Sequence, residues 1–344
     1  MVAMSYADMI DALGCDPVKK LCGAKLRSSS VRKNVRTAAQ NATHDRLVKA
    51  LAPRFRTLNP MTAAAPDECI SHDMLVRCMD SLGWWIWQSI GSCVGAGDGT
   101  ADQIALAGDI IIREEREEVK TFFPYATWGF GRRLGGLRGR GDGSFGGAQI
   151  EADYRFGLLA IDTPGLPQGT KRDGHWIQWS EDDEYDYSWP PSWPVKESVL
   201  APLAQPQQII HSALIKTLDE LEQAIVQGYG LTQASNWGCE RPRIVDGVLM
   251  GKRDAVWPHQ TWIGGYTKKK GPRKWLFGNN WGPRAHGGCP YLLERWNRYG
   301  FSGGVMWIDD ANMLSIIREG ETFARGTKGF PLRDKIDWGS FRWW

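Results

Sequence analysis

Apolar positions recur at helical spacing in the first half of the chain and as short runs between turn residues in the last third. Cys69–Leu82 reads as a short amphipathic helix closed by Gly83. From Cys93 the small-residue run CVGAGDGTADQIALAGDIII predicts a helix reaching a charged end near Glu117. EADYRFGLL at 151–159 reads as helical, and Leu218, Leu221 and Ile225 mark one face of a later helix with a glycine stop. RIVDGVLMG, HQTWIGGYT, KWLFGNNWG and GGVMWIDD read as strands. Gly287–Gly288 and Gly303–Gly304 mark turns or close backbone approach. Helices first and strands afterwards predict an α+β protein of two lobes, with no internal repeat.

Between these patterns lie segments that fit neither period. The glycine-rich stretch GFGRRLGGLRGRGDGSFGG has too many glycines for a regular element, and no GKS or GKT follows to make it a phosphate loop. Residues 171–196 crowd acids, tryptophans and prolines together and are expected to form a surface loop. The organisation expected is therefore an N-terminal extension at 1–60, a helical lobe at 61–205 interrupted by the 171–196 insert, a strand-rich lobe at 206–330, and an aromatic tail at 331–344 ending WGSFRWW.

Charge sharpens the picture of the extension. The net charge of the 344 residues is only +3, yet Pro17 to Arg56 carries a net +10, with Asp45 its sole acid. The basic character thus belongs to an arm, within which Ser30–Leu51 reads as a helix ended by Pro53. Such an arm suits packing on the body, a propeptide-like role, docking into a protein assembly, or contact with nucleic acid.

Composition excludes several classes. At 42% hydrophobic and 24% charged the chain reads as globular, and its eighteen tryptophans are expected mainly in the core. No apolar run approaches the roughly 18 residues needed to span a bilayer. The start, MVAMSYADMIDALG, lacks a basic n-region and an apolar h-region, so synthesis in the cytoplasm without a signal peptide is expected. Seven scattered cysteines form no CxxC pair, so no metal site, no cofactor and no disulfide framework is expected, and one cysteine is a candidate for reactivity.

That candidate is Cys93. A thiol nucleophile needs a base near enough to hold a thiolate–imidazolium pair and a third group to fix the imidazole. A helix N-terminus lowers the thiol pKa further, because first-turn N–H groups stabilise the anion. Gly91–Ser92 makes a turn before Cys93, and small residues follow it. His259 lies in one strand-like segment and Asn279 at the end of the next, joined by KKKGPRK, so antiparallel pairing can set Asn279 beside His259.

These three ordered segments resemble the papain-like cysteine peptidases. The resemblance rests on GSC before a helix (91–93), on Gly265–Tyr266 at six and seven residues after His259, and on Asn-x-Trp-Gly at 279–282. It covers about residues 75 to 320 and implies a helical lobe with the cysteine, a strand-rich lobe with the histidine and asparagine, and a cleft between them. Carried over, it makes Cys93 the nucleophile, His259 the base, Asn279 its orienter and Trp281 the shield of their hydrogen bond. Gln88 is the implied oxyanion donor, and Gly146–Gly147 are the implied substrate-side glycines. Departures are visible. Gln88 stands five residues before Cys93 where the family has six, with Trp87 in the usual place; Val94 follows the cysteine; Pro258 and Gln260 flank the histidine. The Cys–His separation also exceeds the usual span of roughly 130–150 residues to the downstream partners, and the insert accounts for most of the excess.

The function implied is a thiol peptidase acting on peptide or isopeptide bonds of a protein substrate. Two alternatives share the fold: a catalytically inactive structural or interaction protein of a larger assembly, and a peptidoglycan amidase or endopeptidase. The Ile-Gly-Ser-Cys form is similar to microbial and phage-encoded relatives, which adds a virion-associated setting to the expectations.

Overall fold

The computed structural model describes residues 20–27, 34–58, 61, 64–113, 118–137, 139, 141–188, 193–206, 209, 211–286, 289–327, 336 and 338. The Gly287–Gly288 turn and most of the aromatic tail lie outside the described residues.

The arm forms helix α1 (Ala38–Leu51), which begins at a capping box: Thr37 Oγ1 accepts from Gln40 N–H and Gln40 Oε1 accepts from Thr37 N–H. This cap places the start seven residues or more after the expected Ser30, and Asn34–Arg36 instead bond to Leu26 through backbone groups. The helix ends at Leu51, before Pro53, as the sequence suggests.

Residues 68–70 (β1) are not helical. They pair antiparallel with Gly265–Thr267, so the expected helix shortens to α2 (His72–Met79). Strand β2 (Trp85–Trp87) follows, then α3 (Cys93–Arg113), α4 (Pro124–Leu134) and α5 (Gly146–Arg155). The insert is an ordered part of the fold, not a surface loop. It contributes β3 (Thr170–Arg172), β4 (Trp176–Gln178), α6 (Glu181–Asp186) and α7 (Trp193–Ala204). Strand β4 pairs parallel with β2, setting buried Trp176 and Ile177 beside Trp85 and Ile86. The apolar residues Trp176, Ile177 and Trp179 carry this packing, and a Ser180–Asp183 capping box starts α6.

The second lobe runs β5 (His211–Ile215), α8 (Leu218–Val226), β6 (Gly230–Gly238), β7 (Arg243–Val245), β8 (Val248–Met250), β9 (Ala255–Thr267), β10 (Lys274–Gly278), α9 (Pro290–Trp296), β11 (Val305–Asp309), α10 (Asp310–Glu319) and β12 (Glu321–Gly326). One sheet carries its strands in the order β5-β12-β6-β9-β10-β11-β8-β7, with β1 on the flank of β9. Gly303 and Gly304 both have positive φ, 149° and 89°, a backbone that side chains resist; a Cβ on Gly304 would stand 2.5 Å from the Trp176 ring. That close approach joins the insert to the strand lobe.

Helix α3 lies between the lobes and packs on β6 and β9. Arg325 of β12 is buried and salt-bridged to Asp98 (2.8 Å) and Asp102 (2.7 Å) of α3 and to Asp153 of α5, tying both helices to the sheet. Among the described residues ten tryptophans are fully buried, and these indoles build the core.

Candidate active site

Cys93 is the first residue of α3 and is buried. Gly95 lets the helix seat against α4, since a Cβ there would stand 2.7 Å from Trp128 Cβ. The helix start is fastened to β9 by Gln260, whose Nε2 donates to Val94 O (3.1 Å) and Asp98 Oδ1 (2.7 Å). Gln260 N–H also faces Cys93 Sγ at 3.4 Å, which sets the strand carrying His259 against the helix start.

Pro258 shapes this strand. A proline has no N–H for a ladder, so within sheets it is tolerated at edges and bulges. Here the β9–β6 register slips between Val256↔Trp237 and His259↔Ser235, two residues opposing one. The bulge re-aims the strand at His259. Asn279 follows β10, its N–H bonded to Gly304 O (2.9 Å), and its Oδ1 lies 2.9 Å from His259 Nε2. With the amide this way round its oxygen only accepts, an arrangement that calls for the imidazole proton on Nε2 and leaves Nδ1 its lone pair. Trp281 lies over His259 with ring centroids 4.7 Å apart, and both are buried.

Gln88 is also brought here. Its backbone N–H bonds Asn280 O (3.0 Å), and its Nε2 donates to Ile90 O and to Leu21 O, both at 2.8 Å. Trp87 packs toward Gly282. Gly146 and Gly147 are placed elsewhere: they begin α5 and face Phe323 and His44. The backbone running beside the cysteine is Gly143–Ser144, with Gly143 N–H on Gly91 O (3.0 Å).

The arm fills the cleft. Gly23 N–H donates to Cys93 Sγ (3.3 Å), Ala24 N–H to Pro258 O (3.1 Å), and Lys25 N–H to Ser144 O (2.8 Å), while Ser144 N–H donates to Gly23 O (3.2 Å). Leu21 C=O rests on Gln88. Beneath this cover burial dominates the titration: it pushes the Cys93 thiol up to about 11, against backbone N–H groups that pull it down, and lowers His259 to about 4. Thiol and imidazole are both neutral in this covered state.

Two site residues carry no sequence signal of their own. Glu184, one of five acids between 181 and 186, is buried and accepts from Ser89 N–H and Ser92 Oγ–H, each at 2.6 Å, bracing the loop before Cys93. Burial raises its carboxyl to about 8. Trp87, Gln88, Gln178, Trp179 and Glu181 line a cavity of about 400 Å³ along the insert side of Gln88. His286 lies behind Asn279, its Nε2 2.9 Å from Asn279 Nδ2. Among the described residues no cluster of His, Cys, Asp or Glu has metal-binding geometry, and no helix is long and apolar enough to cross a membrane.

Helices and a mainly antiparallel sheet in this arrangement, with Cys93 heading a helix and His259 on a strand, form a papain-like fold, which this chain shares with cysteine proteases of known structure. Xylellain, a cysteine protease from Xylella fastidiosa, aligns with a TM-score of 0.51 at 14% identity over 78% of this chain and 89% of its own. Procathepsin B S9 from Trypanosoma congolense aligns with a TM-score of 0.50 at 10% identity over 94% and 98%. No protein-family model matches the chain, and no curated protein matches its sequence.

Proposed function

We propose that this chain is a thiol peptidase that cleaves peptide bonds through Cys93, His259 and Asn279, and that residues 20–27 hold it latent. The observation that carries the reading is the order of contacts at one point: Asn279 Oδ1 fixes His259 Nε2, while the next residue, Gln260, presents its N–H to Cys93 Sγ. The placement of Leu21 C=O on Gln88 Nε2 supports it, because a main-chain carbonyl already rests on the donor an oxyanion would use.

With the arm withdrawn, water re-enters and the burial penalty on charge falls, favouring proton transfer from Cys93 to His259 Nδ1. The thiolate sulfur attacks the substrate carbonyl carbon, and the oxygen takes the developing negative charge beside Gln88 Nε2. His259 returns its proton to the departing amine as the C–N bond breaks, leaving a thioester on Cys93. Water, deprotonated by His259, then releases the acid and restores the thiol. Asn279 holds the imidazole through both halves, under Trp281.

The test is hydrolysis of a denatured protein substrate by chain freed of its arm. Products that vanish in Cys93→Ala are expected. Intact substrate, with the arm demonstrably released, overturns the proposal and favours the non-catalytic reading of the same fold.

A further inference from the structure

Asn279 has a second imidazole partner. Its Oδ1 lies 2.9 Å from His259 Nε2 and its Nδ2 lies 2.9 Å from His286 Nε2, with all three side chains buried. An amide between two imidazoles can sit either way round, since its two orientations differ by a half-turn of the terminal group. The orientations are not chemically equal. With the oxygen toward His259, that ring is protonated on Nε2 and its Nδ1 is free to take a proton from the thiol. With the NH₂ toward His259, the proton is driven to Nδ1 and the base is lost.

We infer that His286 is a positioning residue that selects the first orientation by presenting an unprotonated Nε2 to the Asn279 NH₂. Amide nitrogen only donates, so His286 Nε2 must accept, and the neutral ring then carries its proton on Nδ1. Two indoles flank the ring. It stacks on Trp257 (centroids 5.7 Å, interplanar angle 25°) and lies 6.2 Å from Trp281. Its backbone is left-handed, φ 67°, in a turn where Ala285 N–H bonds Gly282 O (3.2 Å). Burial also disfavours the imidazolium, lowering the ring to about 3, and a charged His286 has no lone pair to offer. The relay thus reads Cys93, His259, Asn279, His286, with the last ring setting the tautomer of the first without touching substrate.

This inference rests on the reading of His259 as the base, and the experiment separates the two. Long-range 1H–15N spectra of full-length, 15N-histidine-labelled protein report the protonated nitrogen of each ring. Wild type is expected to show His286 protonated on Nδ1 and His259 on Nε2. His286→Asn tolerates the left-handed backbone and is too short to reach; it is expected to lose the single His259 tautomer. His286→Gln, which restores an acceptor, is expected to regain it. In arm-released protein kcat should fall about 10- to 100-fold in His286→Asn, the usual loss for an outer partner of a functional group, with recovery in His286→Gln. A wild-type His286 protonated on Nε2, or a His259 tautomer unmoved in His286→Asn, overturns the inference, and the first result needs no variant to fold. The expected tautomers without any hydrolysis overturn the proposed peptidase alone.

Discussion

The amide of Gly23 and the thiol of Cys93 are hydrogen-bonded at 3.3 Å, so the arm meets the protein at the one sulfur that heads the central helix. The contact is possible because residue 23 is glycine. A Cβ there would stand 1.8 Å from Gly91 O, a backbone atom that no side-chain rotation moves aside.

Gly23→Ala is therefore expected to dislodge residues 21–24 without disturbing the lobes. A clash of about 1–3 kcal/mol shifts a closed–open balance about 5- to 150-fold. Alkylation of Cys93 by iodoacetamide, followed by peptide mass spectrometry, should accelerate within that range. An unchanged rate means the segment does not shield the thiol.

Gln88→Ala tests the oxyanion donor. In arm-released protein kcat is expected to drop about 10²–10³-fold, the usual loss for one such donor, with little change in KM. A raised KM at constant kcat assigns Gln88 to ground-state binding instead.

Glu184 makes stability depend on pH. Its carboxyl titrates near 4.5 unfolded and about 8 folded, so the group's stabilising contribution is full below pH 4.5 and lost as pH rises through 8. Within that window the loss is about 1.4 kcal/mol per pH unit. Urea midpoints measured from pH 5 to 8 should fall more steeply in wild type than in Glu184→Gln. Parallel curves contradict a buried, protonated Glu184.

Arg325→Met leaves Asp98, Asp102 and Asp153 buried without their cation. Removing one partner of such a cluster costs about 3–5 kcal/mol, read as a drop in the urea-unfolding free energy at pH 7. A loss below about 1 kcal/mol shows that the carboxyls are already neutral and share their protons.

Much of this was legible in the chain. Small residues after Cys93, the strand period at 259–267 and 274–278, and Asn-x-Trp-Gly each follow from local chemistry, and the fold assembles them at one place. What was not legible depends on pairing across long separations. Glu68–Ile70 became a strand because residues 265–267 offered an open flank. The insert became two strands and two helices because Trp176 and Ile177 found Trp85 and Ile86, a match that proline and acid content concealed. Glu184 is one acid among five until Ser89 and Ser92 select it, and His286 is one histidine in a turn until Asn279 reaches it. Gly146–Gly147 looked like the cleft glycines by sequence alone, whereas hydrogen bonding with Gly91 and Gly23 puts Gly143–Ser144 beside the cysteine.

The most direct measurement is labelling by a thiol-directed epoxide in the Gly23→Ala chain, resolved cysteine by cysteine. Selective modification of Cys93 over the other six cysteines, abolished by His259→Ala, is the expected result. Equal, slow labelling of all seven, indifferent to His259, contradicts a nucleophile at Cys93.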